Sequence, residues 1–354
     1  MLKLMRALSL LLLLTSLITA QNPGAEKLFN DAMAAQQRGD LGAAVTGYEQ
    51  VLKLKPNLVP ARANLAAALM QLNRLDDAAA NYRAALAQAP GNLQLSMLLG
   101  NCLILARKYA EAMNVLGPLE KAHPDNLDVA FLAGEGLIGI NQQAEGLKRV
   151  ERVAGARNSA DAWMLAGLTQ LKLSEYAKAR DSLDAALRAN PALPGAYTLS
   201  GIAKTMLGDR VGAKAAFQKA LDMDPNDFDA NLRFGFALYK ERDLEDARKY
   251  LALALQINPT SVSARYEMAQ LEVAEGRDTE AAAALEAIVH DYPTLLKPHV
   301  QLAALYYRLH RQDDGKRERQ IVDDLLAHPE KQAADPSADV EGGSAQPNGL
   351  APSL

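Results

Sequence analysis

An all-α solenoid of helix-turn-helix units is what the 354-residue sequence predicts, on three observations. Pro56, Pro90 and Pro124 stand 34 residues apart, and Pro191, Pro225, Pro259 and Pro293 keep the same interval. Small residues hold the beat at Ala32, Ala66, Gly100, Gly134, Gly167, Gly201, Gly235, Ala269 and Ala303. Twelve residues after each stands another: Ala44, Ala78, Ala112, Gly146, Ala179, Ala213, Ala247, Ala281 and Gly315. Aromatic residues make up only 5% of a chain rich in Ala and Leu, a palette that favours helix over strand. A fixed period of this length marks stacked repeats, none of which can bury its apolar face alone.

The first twenty residues lie outside the period. Lys3 and Arg6 precede an apolar run from Ala7 to Ile18, and Thr19-Ala20 lead into the polar Gln21-Asn22-Pro23-Gly24. Basic, apolar, then small is the layout of a secretory signal peptide. Residues 1–20 are therefore read as a signal peptide cut after Ala20, and 21–24 as a short linker. The run is shorter than the ~20 residues that cross a bilayer, so no stable membrane insertion is expected after cleavage. The protein is expected to be exported, periplasmic or secreted.

The solenoid is predicted over 25–329, in nine units that start near 25, 59, 93, 127, 160, 194, 228, 262 and 296. The small residue on each helix lets the two helices of a unit approach to the close end of the usual ~8–10 Å range. Larger apolar residues flank it at helical spacing, as Leu65, Leu69 and Leu72 do. Arg38-Gly39-Asp40, Leu72-Asn73-Arg74, Leu207-Gly208-Asp209 and Glu275-Gly276-Arg277 offer Gly or Asn for the left-handed residue that ends a first helix. The recurrent proline then stops the second helix, and Pro60, Pro194 and Pro298 sit near helix starts, where a missing N–H costs nothing.

The fourth unit is one residue short and lacks the closing proline. It also carries Gly134, Gly136, Gly139, Gly146 and Gly155. It is predicted to be the weak point, with 25–158 and 159–329 as two stiff blocks. The ninth unit is predicted to be a cap whose second helix turns Lys316, Arg317, Glu318 and Arg319 to solvent. Residues 330–354 are small, polar and rich in Pro and Gly, and are predicted to be a disordered tail.

The columns resemble the tetratricopeptide repeat family. Trp163…Gly167…Tyr176…Ala179…Ala186…Pro191 and Tyr197…Gly201…Ala213…Phe217…Ala220…Pro225 carry the likeness most plainly. With the N-terminal pattern, the chain looks like an exported bacterial member. The resemblance implies a right-handed superhelix whose first helices line a concave groove with positions 2, 5, 9, 12 and 13 of each unit. Those positions hold Phe29, Met33, Met70, Met97, Asn101, Phe131, Met164, Phe236, Tyr239, Tyr266 and Tyr307, among others. They suit contacts between neighbouring units equally well, so both readings stand. If they line a groove, it is apolar and methionine-rich, fitted to hydrophobic or helical segments. The family's clamp for acidic C-termini needs Lys at position 5 and Asn at position 9. Asn101 fills position 9, but Met97 stands at position 5, so the resemblance does not extend to that specificity.

Residues that carry chemistry are sparse. Gly134-Glu135-Gly136-Leu137-Ile138-Gly139 spells a dinucleotide fingerprint, but that motif needs a strand before it and here it falls inside a helix. His123, His290, His299, His310 and His328 form no ligand pair, and Cys102 has no second cysteine. Neither a metal nor a cofactor is expected. A net charge of −4 without a basic stripe argues against nucleic acid. The repeats leave no span for a catalytic domain, so the chain is read as a non-enzyme. The leading function is an exported scaffold that binds a partner protein or peptide on its concave helices. The alternative is an architectural accessory subunit of an envelope assembly or secretion complex.

Overall fold

The computed structural model describes residues 23–334. The proposed signal peptide and its cleavage site, and residues 335–354 of the proposed tail, lie outside the described residues. Eighteen α-helices and no strand are found among those described. They form nine antiparallel pairs: α1 (Pro23–Gln37) with α2 (Leu41–Leu54), α3 (Val59–Gln71) with α4 (Leu75–Gln88), and α5 (Leu93–Leu105) with α6 (Tyr109–Ala122). Next come α7 (Leu127–Gly139) with α8 (Gln143–Arg157), α9 (Ala160–Lys172) with α10 (Tyr176–Ala189), and α11 (Ala196–Met206) with α12 (Arg210–Met223). The last three are α13 (Phe228–Lys240) with α14 (Leu244–Ile257), α15 (Val262–Ala274) with α16 (Asp278–Asp291), and α17 (Leu296–Arg308) with α18 (Gln312–Ala327). The framework divides into two compact units, one up to Arg157 and another from Asn158 onward.

Each pair closes around the small residue of its first helix. In the first eight pairs a large, buried side chain stands sixteen residues later on the second helix: Tyr48, Tyr82, Leu116, Val150, Leu183, Phe217, Leu251 and Leu285; in the ninth that place falls to the exposed Arg319. A β-carbon at Gly201 would lie 2.4 Å from the Phe217 ring, so the bare backbone sets the packing distance.

The turn inside every pair contains one residue at positive φ. It is Gly39, Gly208 or Gly276 where the sequence supplies glycine, but Asn73, Arg107, Asn141, Ser174, Arg242 and His310 take the same conformation. Tertiary pairing of the two helices thus imposes a left-handed residue even where the side chain resists it.

Between pairs the proline does more than stop a helix. Leu58 N–H donates to Lys55 C=O, and Asn92, Asp227, Ser261 and Leu295 repeat that reverse turn around their own prolines. A polar side chain at the fourth position of the next helix then satisfies the proline carbonyl. Arg62 Nε donates to Pro56 O at 3.0 Å, Asn231 Nδ2 to Pro225 O at 2.9 Å, and His299 Nε2 to Pro293 O at 3.0 Å. At the short fourth unit the proline turn is absent, and a single left-handed Asn158 (φ 48°) is followed by Ser159, which caps α9 through Ala162 N–H.

Two expectations gain detail. Four of the fourth unit's five glycines are close-approach points besides weakening their helices. Added β-carbons would meet Val150 at Gly134, Met113 at Gly136, Tyr109 at Gly139 and the Gly134 carbonyl at Gly146, all within 2.8 Å. Only Gly155 faces open space. The tail, in turn, does not begin at 330. Pro329–Lys331 form a 3₁₀ turn, Gln332 Nε2 donates to Leu325 O at 2.8 Å, and Ala333 N–H donates to Thr294 O at 3.2 Å.

Candidate partner-binding face

The first helices present the positions named as a groove, and the structure sorts them by burial. Phe29, Asn101 and Tyr266 lie in the interior and are corrected from groove lining to core. The Phe29 ring packs 5.8 Å from that of Tyr48, and the Tyr266 hydroxyl accepts a hydrogen bond from Gln270 Nε2 at 2.5 Å. Met33, Met70, Met97, Phe131 and Met164 are half-buried. Met70, Met97 and Met164 pack against the core with one edge open. These side chains do double duty because a helix face wedged between neighbours is buried at its flanks and exposed along its crest.

In the second compact unit the crest is aromatic. Phe236 and Tyr239 on α13 are half-buried, with ring centroids 6.4 Å apart. Lys240 extends its exposed ammonium over both, 5.4 Å from the Phe236 centroid and 5.9 Å from that of Tyr239. Further along the same face, Gln301 Nε2 on α17 donates to Gln270 Oε1 on α15 at 2.6 Å, which joins the two helices. On α17, Val300, Ala304 and Tyr307 form an exposed stripe at helical spacing; Tyr307 is 40% exposed. Arg308 beside it is paired with Asp278.

Cys102, His299 and Glu275 are each engaged in packing, hydrogen bonds or ion pairs. Burial pushes the Cys102 thiol up to about 12, and its Sγ donates to Leu75 O at 3.3 Å. A thiol held that far above neutrality is a packing group and not a nucleophile. His299 is buried against Glu318 Oε2, 2.5 Å from its Nδ1. Two hydrogen bonds from Arg248 hold the Glu275 carboxyl below the usual range. Among the described residues no group of three His, Cys, Asp or Glu is placed to hold a metal ion. No described helix is long and apolar enough to cross a membrane.

Lys240 is the residue that sequence reasoning passed over. It occupies position 13 of its unit, one of the positions assigned to the groove, but a lone lysine at a helix end gives no signal until the two rings beneath it are known.

Two family profiles, each described as a tetratricopeptide repeat, match this chain. One covers residues 74–134, 205–254 and 238–306, and the other covers 29–92 and 131–194. The chain belongs to the tetratricopeptide repeat family. Among curated relatives it is similar to the BBSome complex member BBS4 of Xenopus tropicalis, 36% identical over 81 residues. It is also similar to BBS4 of Bos taurus, 30% identical over 112 residues. These matches take in 23% and 31% of this chain and span only 16% and 22% of the relatives' own length. Among solved structures a MamA double mutant aligns with a TM-score of 0.45 at 17% identity, over 49% of this chain and 97% of that one. YrrB, described as a TPR protein with an unusual peptide-binding site, aligns at 0.42 and 20% identity, over 55% of this chain and 97% of that one.

Proposed function

We propose that this tetratricopeptide repeat protein is a non-catalytic scaffold that binds a partner protein or peptide on the face of its first helices. The supporting observation is the half-exposed Phe236–Tyr239 pair capped by Lys240, continued by the exposed stripe of Val300, Ala304 and Tyr307. Covering aromatic and aliphatic surface of this kind gains ~25 cal/mol per Å², which is what a partner has to offer. Export to the periplasm or beyond rests on the basic, apolar and small residues of Met1–Ala20.

Affinity isolation from envelope extract tests the binding reading. A partner whose capture falls on Tyr239→Ala or Tyr307→Ala, with the melting curve unchanged, supports it. A set of co-purifying proteins indifferent to both substitutions points instead to an architectural subunit. N-terminal sequencing of the fractionated protein tests export, with Gln21 expected as the first residue.

A further inference from the structure

We infer that the α13 end of this face takes an acidic peptide, one that sets a carboxylate on Lys240 and a neighbouring apolar side chain on Phe236 and Tyr239. The inference rests on the binding role proposed above and adds the chemistry of the partner.

The geometry supplies both halves of such a site. Two rings 6.4 Å apart leave a half-exposed apolar surface, and the ammonium of the exposed Lys240 lies over both. That cation has no carboxylate partner among the described residues. Glu241, its neighbour in sequence, takes Lys214 Nζ at 2.5 Å instead. Two pairs of helices earlier, Lys172 ends α9 as Lys240 ends α13, likewise exposed and without an ion-pair partner among the described residues. At these two helix ends an acidic segment meets an ammonium that has no ion-pair partner among the described residues, and a basic one is repelled. Cation–π contact keeps the Lys240 head in place before any ligand arrives, which lowers the ordering cost of binding.

The helix dipole sharpens the test. Lys240 is the last residue of α13, where the negative end of the helix favours cations. Preference for a carboxylate there depends on the lysine itself, and Lys240→Glu turns both local terms toward a basic ligand.

The experiment is selection of a random dodecapeptide library on the full chain and on its Lys240→Glu variant, with circular dichroism to show that both are folded. On the native chain, sequences that place Asp or Glu beside Leu, Phe, Ile or Met are expected to be enriched. On Lys240→Glu the charge preference is expected to invert, with individual acidic peptides losing about tenfold in affinity. Enriched peptides with no acidic preference, or the same acidic preference on both proteins, overturn this inference and leave the binding role standing. No enrichment on either protein counts against the binding role as well.

Discussion

At Gly201 the missing β-carbon is a packing decision made on one residue. The Phe217 ring is buried and lies 2.4 Å from where that carbon would sit, so the ring or the helix has to shift if it is added. Gly155 is the opposite case, helical and open on every side. Gly201→Ala is expected to lower unfolding free energy by about 1–3 kcal/mol, because overpacking outweighs the gain in helix propensity. Gly155→Ala is expected to raise it by up to about 1 kcal/mol, since propensity acts there alone. Urea unfolding of the two variants beside the native chain checks both signs. The residue scale also explains why two of the named aromatics are not available to a ligand. Phe29 and Tyr266 stand at position 5 of their units, one helical turn before the position that Phe236 holds in its own, but their side chains are buried, and only packing between helices decides that.

The helices begin and end by short-range chemistry that repeats with the period. Asp40, Asn92, Asn126, Asp209, Asp227, Asp243 and Ser261 each accept a backbone N–H at the start of the helix that follows. The final element departs from the rule. α18 has only Gly315 and Leu325 buried, and the chain beyond it folds back through Gln332 and Ala333. Those two hydrogen bonds, worth about 0.5–1.5 kcal/mol each before ordering costs, tie the 3₁₀ turn to Leu325 and to the loop at Thr294. A chain ended at Ala334 is expected to melt as the full chain does. One ended at His328 is expected to be less stable by up to about 1 kcal/mol, and equal melting curves for the two would show that the turn holds nothing.

At the scale of the whole molecule, each compact unit carries its own interior. Tyr48, Tyr82 and Leu116 anchor the one up to Arg157, and Leu183, Phe217, Leu251 and Leu285 the one from Asn158 onward. In a repeat array, stability is a sum of repeat terms and nearest-neighbour terms, so a run of four or five pairs contains all that its fold requires. Fragments 23–157 and 158–334 are expected to be helical separately and to melt cooperatively, each at its own temperature. A fragment with helical signal but no cooperative transition would show that its core is incomplete alone.

The proline interval, the two columns of small residues and the helical spacing of the larger apolar residues determined the nine pairs and most of their boundaries. Those features are local and repeat, so one sequence holds nine readings of the same pattern. The division near residue 158 was legible too, because a missing proline and a lost residue are visible in the text. Tertiary structure alone decided the left-handed turns at Arg107, Ser174, Arg242 and His310, where pairing of two helices overrides residue preference. It alone showed that four glycines of the fourth unit are also contact points, since a glycine costs the same helix propensity whether or not a neighbour touches it. Above all it set Lys240 over two rings and put Phe29, Asn101 and Tyr266 out of reach. Helical periodicity assigns a residue to a face, but exposure on that face depends on how deeply the neighbouring helices overlap it, and that is a distance between segments that the sequence does not encode locally.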